Sequence, residues 1–458
     1  MTRASGMSRR TLLQTGAAAG LTLATARGLP AWARPIADLG RVRKPGSKPF
    51  PHMPEGEDTM PQVEHIVILM MENHSFDNLL GLLPRRARSR RDVDGLPLNR
   101  KGHPKPVNLD ANGKPVRASR APSVCQLQGH PGQNWNASHI SWDNGKNDGF
   151  ARASGYSAMW FWDREDLPFT YSMASVFPVG DRFFCSTLCQ TYPNRRYLMS
   201  GTSDGVISTS SENFTVKAAN GTIFDRLDRH KISWRNYYTD LPATAIIPDV
   251  ITVPRQQRGD FVKIDEFYKD ARKGRLPAVS FVDPHFEIQS QENPQDIQFG
   301  EQFIAKVVRA VLESPNWEKT VLFFTYDEHG GYYDHVPPPK AIKPDSPPPL
   351  LKPGDIPGAF DRYGFRVPLV VVSPFAKANY VSHQVQDLTS ILRFVERKWN
   401  IGALTFRDAN AADMTDYLDF RTAAFRDPPR LARAPKIGPG LDRCHELGLH
   451  PPGEPATV

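Results

Sequence analysis

Val63-Glu64-His65-Ile66-Val67-Ile68-Leu69-Met70-Met71-Glu72-Asn73-His74-Ser75-Phe76-Asp77 is the stretch that decides the fold. From Val63 to Met71 it is almost continuously apolar, short, and β-branched at its centre. A strand buried on both faces reads this way, whereas a strand with one wet face would alternate. Two later runs share the character, 320–325 (Thr-Val-Leu-Phe-Phe-Thr) and 367–372 (Val-Pro-Leu-Val-Val-Val). Between the first run and the second lies a helix, with Phe303, Ile304, Val307, Val308, Val311 and Leu312 at helical spacing and a stop at Ser314-Pro315. A further helix carries Leu388, Ile391, Leu392, Val395 and Trp399 on one face. Buried strands alternating with amphipathic helices predict an α/β domain with a mostly parallel sheet covered on both sides.

In such sheets, reactive groups gather at the carboxyl ends of the strands. The first run ends in Glu72-Asn73-His74-Ser75-Phe76-Asp77, the second in Asp327-Glu328-His329-Gly330-Gly331 with Asp334-His335 close behind. Either carboxylate alone would pass for a loop or helix cap. Hard oxygen donors after two buried strands instead suit a metal ion. A third segment, Cys185-Ser186-Thr187-Leu188-Cys189-Gln190-Thr191-Tyr192-Pro193-Asn194-Arg195-Arg196, places hydroxyls before a Pro-Asn-Arg phrase. Thr191 competes there with Ser186 and Thr187. A hydroxyl is a weak nucleophile until a base or metal activates it, and an ion held by Glu72, Asp327 and Glu328 would do so.

Outward from these blocks the chain is less specific. Ser8-Arg9-Arg10-Thr11-Leu12-Leu13, an Ala-rich stretch, and Ala31-Trp32-Ala33 follow the order of a twin-arginine export signal over 1–33, too short an apolar run to span a bilayer. This predicts passage through the twin-arginine machinery and an extracellular or cell-envelope location, with no integral membrane segment. Residues 34–62 read as an extended lead-in, and 63–458 as one catalytic domain with a C-terminal extension. The formal charge is +8, and the leader holds Arg3, Arg9, Arg10 and Arg27 without an acid, leaving 8 − 4 = +4 after cleavage. That is no nucleic-acid footprint. The dense run Arg85-Arg86-Ala87-Arg88-Ser89-Arg90-Arg91 is expected to be a solvated loop. Cys125, Cys185, Cys189 and Cys444 allow three disulfide connectivities.

Glu-Asn-His-Ser-Phe-Asp, Thr-Tyr-Pro-Asn-Arg and Tyr-Asp-Glu-His-Gly-Gly-Tyr-Tyr-Asp-His-Val-Pro-Pro, in this order, resemble the signature blocks of the phosphoesterase family of non-specific phospholipases C and related acid phosphatases. Asp166-Leu167-Pro168-Phe169, Ser314-Pro315-Asn316-Trp317 and Arg366-Val367-Pro368 support the match, which runs from about Val63 to about Trp399. The resemblance implies an alkaline-phosphatase-like three-layer α/β/α fold with long Pro-rich loops. It implies one divalent or trivalent metal ion, of a kind that oxygen donors leave open among calcium, manganese, iron and zinc. Its ligands would be Glu72, Asn73, Asp327, Glu328 and Thr191, with Thr191 forming a covalent phospho-enzyme. His130 would contact phosphate or the leaving group, His130 and His335 are the candidates for the acid that assists its departure, and Asn194 would help hold substrate.

Two phrases depart from the family. Asp-His-Pro is replaced by Gln291-Glu292-Asn293-Pro294, and Asp-His-Thr-Ser by Asp387-Leu388-Thr389-Ser390, so two histidines are missing and the general acid is open. The implied activity is phospholipase C, releasing diacylglycerol and a phospho-headgroup. The alternatives are an acid phosphatase acting on small monoesters and a catalytically weakened exported binding protein. Sulfatase chemistry is disfavoured, because a threonine stands where those enzymes carry a modifiable cysteine or serine.

Overall fold

The apolar run after Glu64 forms strand β1 (His65–Met71), buried along all but its first residue. The computed structural model describes residues 42–126 and 131–436. Seven further strands join β1 in one sheet: β2 (Val179–Gly180), β3 (Trp234–Tyr238), β4 (Phe261–Lys263), β5 (Val279–Asp283), β6 (Thr320–Tyr326), β7 (Leu369–Val372) and β8 (Val381–Ser382). Their order across the sheet is β8-β2-β7-β6-β1-β5-β3-β4. All neighbours pair in parallel except β7, which runs against both β6 and β2. The predicted mostly parallel sheet is therefore present, with β1 at its centre between β5 and β6.

Helices cover both faces. They include α1 (Phe76–Leu80), α2 (Thr191–Ser200), α3 (Ile264–Arg272), α4 (Ile297–Leu312) and α5 (Leu388–Lys398). On one face Phe323 packs edge-on to Phe394 of α5, and Ile68 and Phe281, its neighbours by register, meet Leu198 and Met199 of α2. One residue along, side chains point the other way, and Tyr237 meets Phe267 of α3. This period of two with apolar residues on both sides explains the unbroken pattern in sequence. Fully burying each such side chain is worth about 1.5–3 kcal/mol.

Several details correct the sequence reading. The strand expected at 367–372 starts at Leu369, because Pro368 has no N–H for the ladder. Trp399 is the C-terminal cap of α5 rather than part of its face. The Arg-rich run 85–91 is not a solvated loop. It makes short helical turns, and the Arg90 guanidinium is buried against the carbonyls of Ala174 (2.7 Å) and Phe177 (2.5 Å). Residues 42–62 contain no helix or strand, and 327–368, between β6 and β7, form one long Pro-rich connection. Cys125 is disulfide-bonded, while Cys185 and Cys189 are buried free thiols. No helix among the described residues is long and apolar enough to cross a membrane.

Candidate active site

Register brings the first two acidic blocks together. Met71 and Tyr326 are the last partners of β1 and β6, so Glu72 and Asp327 leave the sheet side by side. Asn73 then turns back with φ 69°, a left-handed conformation that asparagine tolerates better than most residues. Its N–H donates to Asp327 Oδ1 at 3.2 Å, and the Glu328 N–H donates to the same oxygen at 2.8 Å. Gly330 closes this join: a Cβ there would lie 1.8 Å from the Asn73 carbonyl oxygen, so only glycine lets the two loops meet.

Thr191 is the first residue of α2 and is only 5% exposed. Its hydroxyl donates to Asn73 Oδ1 at 3.3 Å, which joins the third block to the first two. The N–H groups that open a helix favour an anion at this end. One turn on, Arg195 reaches across three strand ends. Its Nε lies 3.0 Å from Asp327 Oδ2, Nη2 3.4 Å from Glu72 Oε1, and Nη1 4.0 Å from Asp283 Oδ1 at the end of β5.

One guanidinium does not balance the acids gathered here. Burial, then the charge of Glu292, pushes the Glu72 carboxyl well above its ordinary range. Burial and Asp327 do the same to Glu328, and burial also raises Asp327. Glu292 sits partly exposed beside Glu72, bonded to it and to Gln133, with its proton held up to about 7 by burial and by Asp327. Glu72 Oε2, Glu328 Oε1 and Asn73 Nδ2 are buried without any hydrogen-bond partner. Orphaned carboxylate oxygens in a buried, acid-rich pocket are what a hard cation satisfies. Glu72, Asn73, Asp327 and Glu328 thus fit a metal ion, with Thr191 next to Asn73. Asp327 is the most engaged of the four, since both its oxygens already accept hydrogen bonds.

Asp77, Asp334 and His335 form a separate cluster whose ligand atoms lie within 4.8 Å of one another. A cation is already built into it: Arg366 Nε lies 2.8 Å from Asp334 Oδ1 and Nη2 3.1 Å from Asp77 Oδ1. Arg366 thus already neutralises this cluster, which reads as an ionic buttress, and the unsatisfied oxygens belong to the Glu72 group. The buttress matters for His335, whose Nδ1 is 2.7 Å from Asp77 and Nε2 3.1 Å from Asp94. Burial favours the neutral ring, but Asp77 and these bonds outweigh it and hold the proton up to about 9. Both ring nitrogens are thereby committed to carboxylates, a poor arrangement for a general acid.

Asn194 also differs from expectation. Its Oδ1 accepts from the Thr187 N–H at 3.0 Å, and its Nδ2 donates to the Cys189 carbonyl at 2.8 Å. It braces the turn that presents Thr191 instead of facing substrate. His130 lies outside the described residues. His139 packs on Trp135, with ring centroids 4.2 Å apart, and bonds that residue's carbonyl. Leu388 is fully buried in the main core, as its place on the apolar face of α5 predicts. Arg195 and Asp283 escaped the sequence reading. Arg195 had a signal, since four residues after Thr191 on a helix is the same face. Asp283 had one only in the run 279–283 (Val-Ser-Phe-Val-Asp), a buried strand ending in an acid.

The Phosphoesterase family model matches residues 63–402. The chain is 31% identical to non-specific phospholipase C1 of Arabidopsis thaliana, over 80% of this chain and 73% of that protein. It is 30% identical to phospholipase C B of Mycobacterium tuberculosis, over 94% of this chain and 90% of that one. Among solved structures, a protein in the alkaline phosphatase superfamily from Vibrio parahaemolyticus aligns with 83% of this chain and 76% of its own, at 11% identity and a TM-score of 0.42.

Proposed function

The chain belongs to the Phosphoesterase family and is a phosphoric ester hydrolase, and from that premise we propose that it is a metal-dependent phospholipase C with Thr191 as nucleophile. The observation that carries the reading is the Thr191 hydroxyl bonded to Asn73 in a pocket whose buried Glu72 and Glu328 oxygens lack partners. Glu72, Asn73, Asp327 and Glu328 would hold the ion. When bound, it supplies Lewis-acid polarisation of the phosphoryl oxygens and lowers the pKa of a ligating hydroxyl.

The chain's own groups account for the remaining steps. Asn73 Oδ1 fixes the threonine rotamer, and Asn194 fixes the loop behind it. In the first step the Thr191 Oγ–P bond forms and the P–O bond to glycerol breaks, and diacylglycerol leaves with a proton. In the second, water displaces the threonine oxygen, releases the phospho-headgroup and restores the hydroxyl. The first N–H groups of α2 would stabilise negative charge on the phosphoryl oxygens. The Ser8-Arg9-Arg10 leader supports export through the twin-arginine machinery, and this segment too lies outside the described residues.

The reading is tested by assaying the mature protein on phosphatidylcholine and on p-nitrophenyl phosphate, beside Thr191→Ala and a chelated sample. Diacylglycerol release that falls at least ~1,000-fold in both controls is the expected result. Turnover of the small monoester alone would move the protein to the acid phosphatase reading. Metal bound with no Thr191-dependent turnover of either would favour the binding-protein reading.

A further inference from the structure

Large hydrophobic side chains left in water are common singly, and their grouping is what carries information. Among the described residues, five of the ten most exposed ones stand on loops at a single end of the sheet: Phe214 (41%), Leu241 (67%), Ile288 (44%), Leu350 (56%) and Leu351 (41%). Leu241 follows the carboxyl end of β3, Ile288 that of β5, and Leu350 and Leu351 lie on the long connection after β6. This is the end at which Thr191 lies.

Contacts join these tips to the nucleophile. The Phe214 ring lies 5.4 Å from that of Tyr192, the residue after Thr191. The turn that holds it, Ser211–Thr215, packs on Ala243–Ile246 just beyond Leu241. The Leu350 N–H donates to the Gly205 carbonyl at 2.9 Å. A cavity of about 370 Å³ lined by Gln190, Ile207, Glu212, Leu350 and Lys352 reaches the residue before Thr191. Two pairs of opposite charge lie between the tips: Lys352 meets Glu212 at 2.6 Å and Lys217 meets Asp249 at 3.2 Å.

We propose that this rim is a membrane-docking face, on which Phe214, Leu350 and Leu351 insert into the headgroup layer of a zwitterionic phospholipid bilayer and set the Thr191 pocket against it. The proposal rests on the phospholipase reading for the identity of the surface. A nucleophile only 5% exposed meets a lipid still in its bilayer only if the rim touches the surface. Separate apolar tips around a concave mouth suit a deformable lipid layer better than a protein, whose interface core is contiguous and close-packed. The paired charges argue against an anionic bilayer, which would call for unbalanced lysines and arginines.

The test uses the mature chain carrying Thr191→Ala, so that nothing is hydrolysed, in flotation with pure phosphatidylcholine vesicles. Adding Phe214→Ser, Leu350→Ser and Leu351→Ser together is expected to lower vesicle partitioning at least ~tenfold. Adding phosphatidylglycerol to the vesicles is expected to change the partitioning of the parent little. A separate Phe214→Trp variant, which keeps the surface apolar, is expected to gain quenching by brominated phosphatidylcholine. With Thr191 restored, the triple variant should lose rate on vesicles and keep it on short-chain phosphatidylcholine below its micelle concentration. Undiminished partitioning of the triple variant, or no quenching at Trp in place of Phe214, overturns the proposal. So does a tip-dependent dimer that floats no better than its monomeric triple variant. Vesicle binding through the tips without hydrolysis of any phospholipid by the Thr191 chain would contradict the phospholipase reading and leave the docking face standing.

Discussion

Arg195 holds the charge balance of the site, because its guanidinium is the cation shared by Glu72, Asp327 and Asp283. Removing it leaves buried carboxylates uncompensated, so Arg195→Met is expected to cost about 3–5 kcal/mol in the metal-free protein, read from urea unfolding. A loss below about 1 kcal/mol would show that the acids are already neutral. His335 sets a different test. Its folded pKa of about 9 lies above the ordinary 6.5, so the stability it contributes is complete below about pH 6.5 and is lost as pH rises through 9. His335→Gln should remove that alkaline loss and lower stability at pH 6 by about 3 kcal/mol. At this scale the sequence was a good guide to residue types and a poor one to their partners. The positions of Glu72, Asp327 and Thr191 were legible because each follows or opens an element. The contacts of Asn194 and His335 were not, because loop carbonyls and the Asp94 carboxylate reach them from segments no pattern ties to them.

The elements were legible where the apolar period was strong. Helix α5 was found because Leu388, Ile391, Leu392 and Val395 share a face, and that same face explains why a histidine at 388 is absent. Leu388→His would put a polar ring into a site with no exposure and is expected to cost about 2–4 kcal/mol without raising turnover. Thermal unfolding and the rate on phosphatidylcholine check both parts, and a gain in rate would contradict them. Short strands such as β2 and β8, two residues each, escaped because nothing in two residues distinguishes a strand from a loop. The loop before α2 supplies a further prediction. Asn194→Ala removes the brace on 187–190, so kcat should fall at least ~tenfold with KM little changed, since only the placement of Thr191 suffers. A change confined to KM would instead restore Asn194 to the substrate.

Over the whole molecule, the sheet brings three strand ends and one helix start to a single point, and the excess of acid there would couple folding to a bound cation. Without metal, Glu72 and Glu328 have folded pKa values above the ordinary 4.5. Folding then takes up protons, so the metal-free protein should lose stability as pH rises above about 4.5. A saturating ion should reverse this, raising Tm at pH 7 by binding only the folded state, about 2.7 kcal/mol at a hundredfold excess over Kd, and chelation should undo it. The parallel pairing of β1 with β6 was foreshadowed by their unbroken apolar runs, whereas β7, read from the same kind of run, lies antiparallel to both its neighbours, and β5 and all adjacencies were not legible, since periodicity carries no information on neighbours. The central proposal is that Thr191 Oγ is the atom that takes the phosphoryl group. The direct test is acid-quenched turnover of phosphatidylcholine followed by peptide mass spectrometry of the chain. The account predicts the headgroup phosphate bonded to the peptide holding Thr191, absent in Thr191→Ala. Turnover that proceeds with that peptide unmodified, or that survives Thr191→Ala, would contradict it.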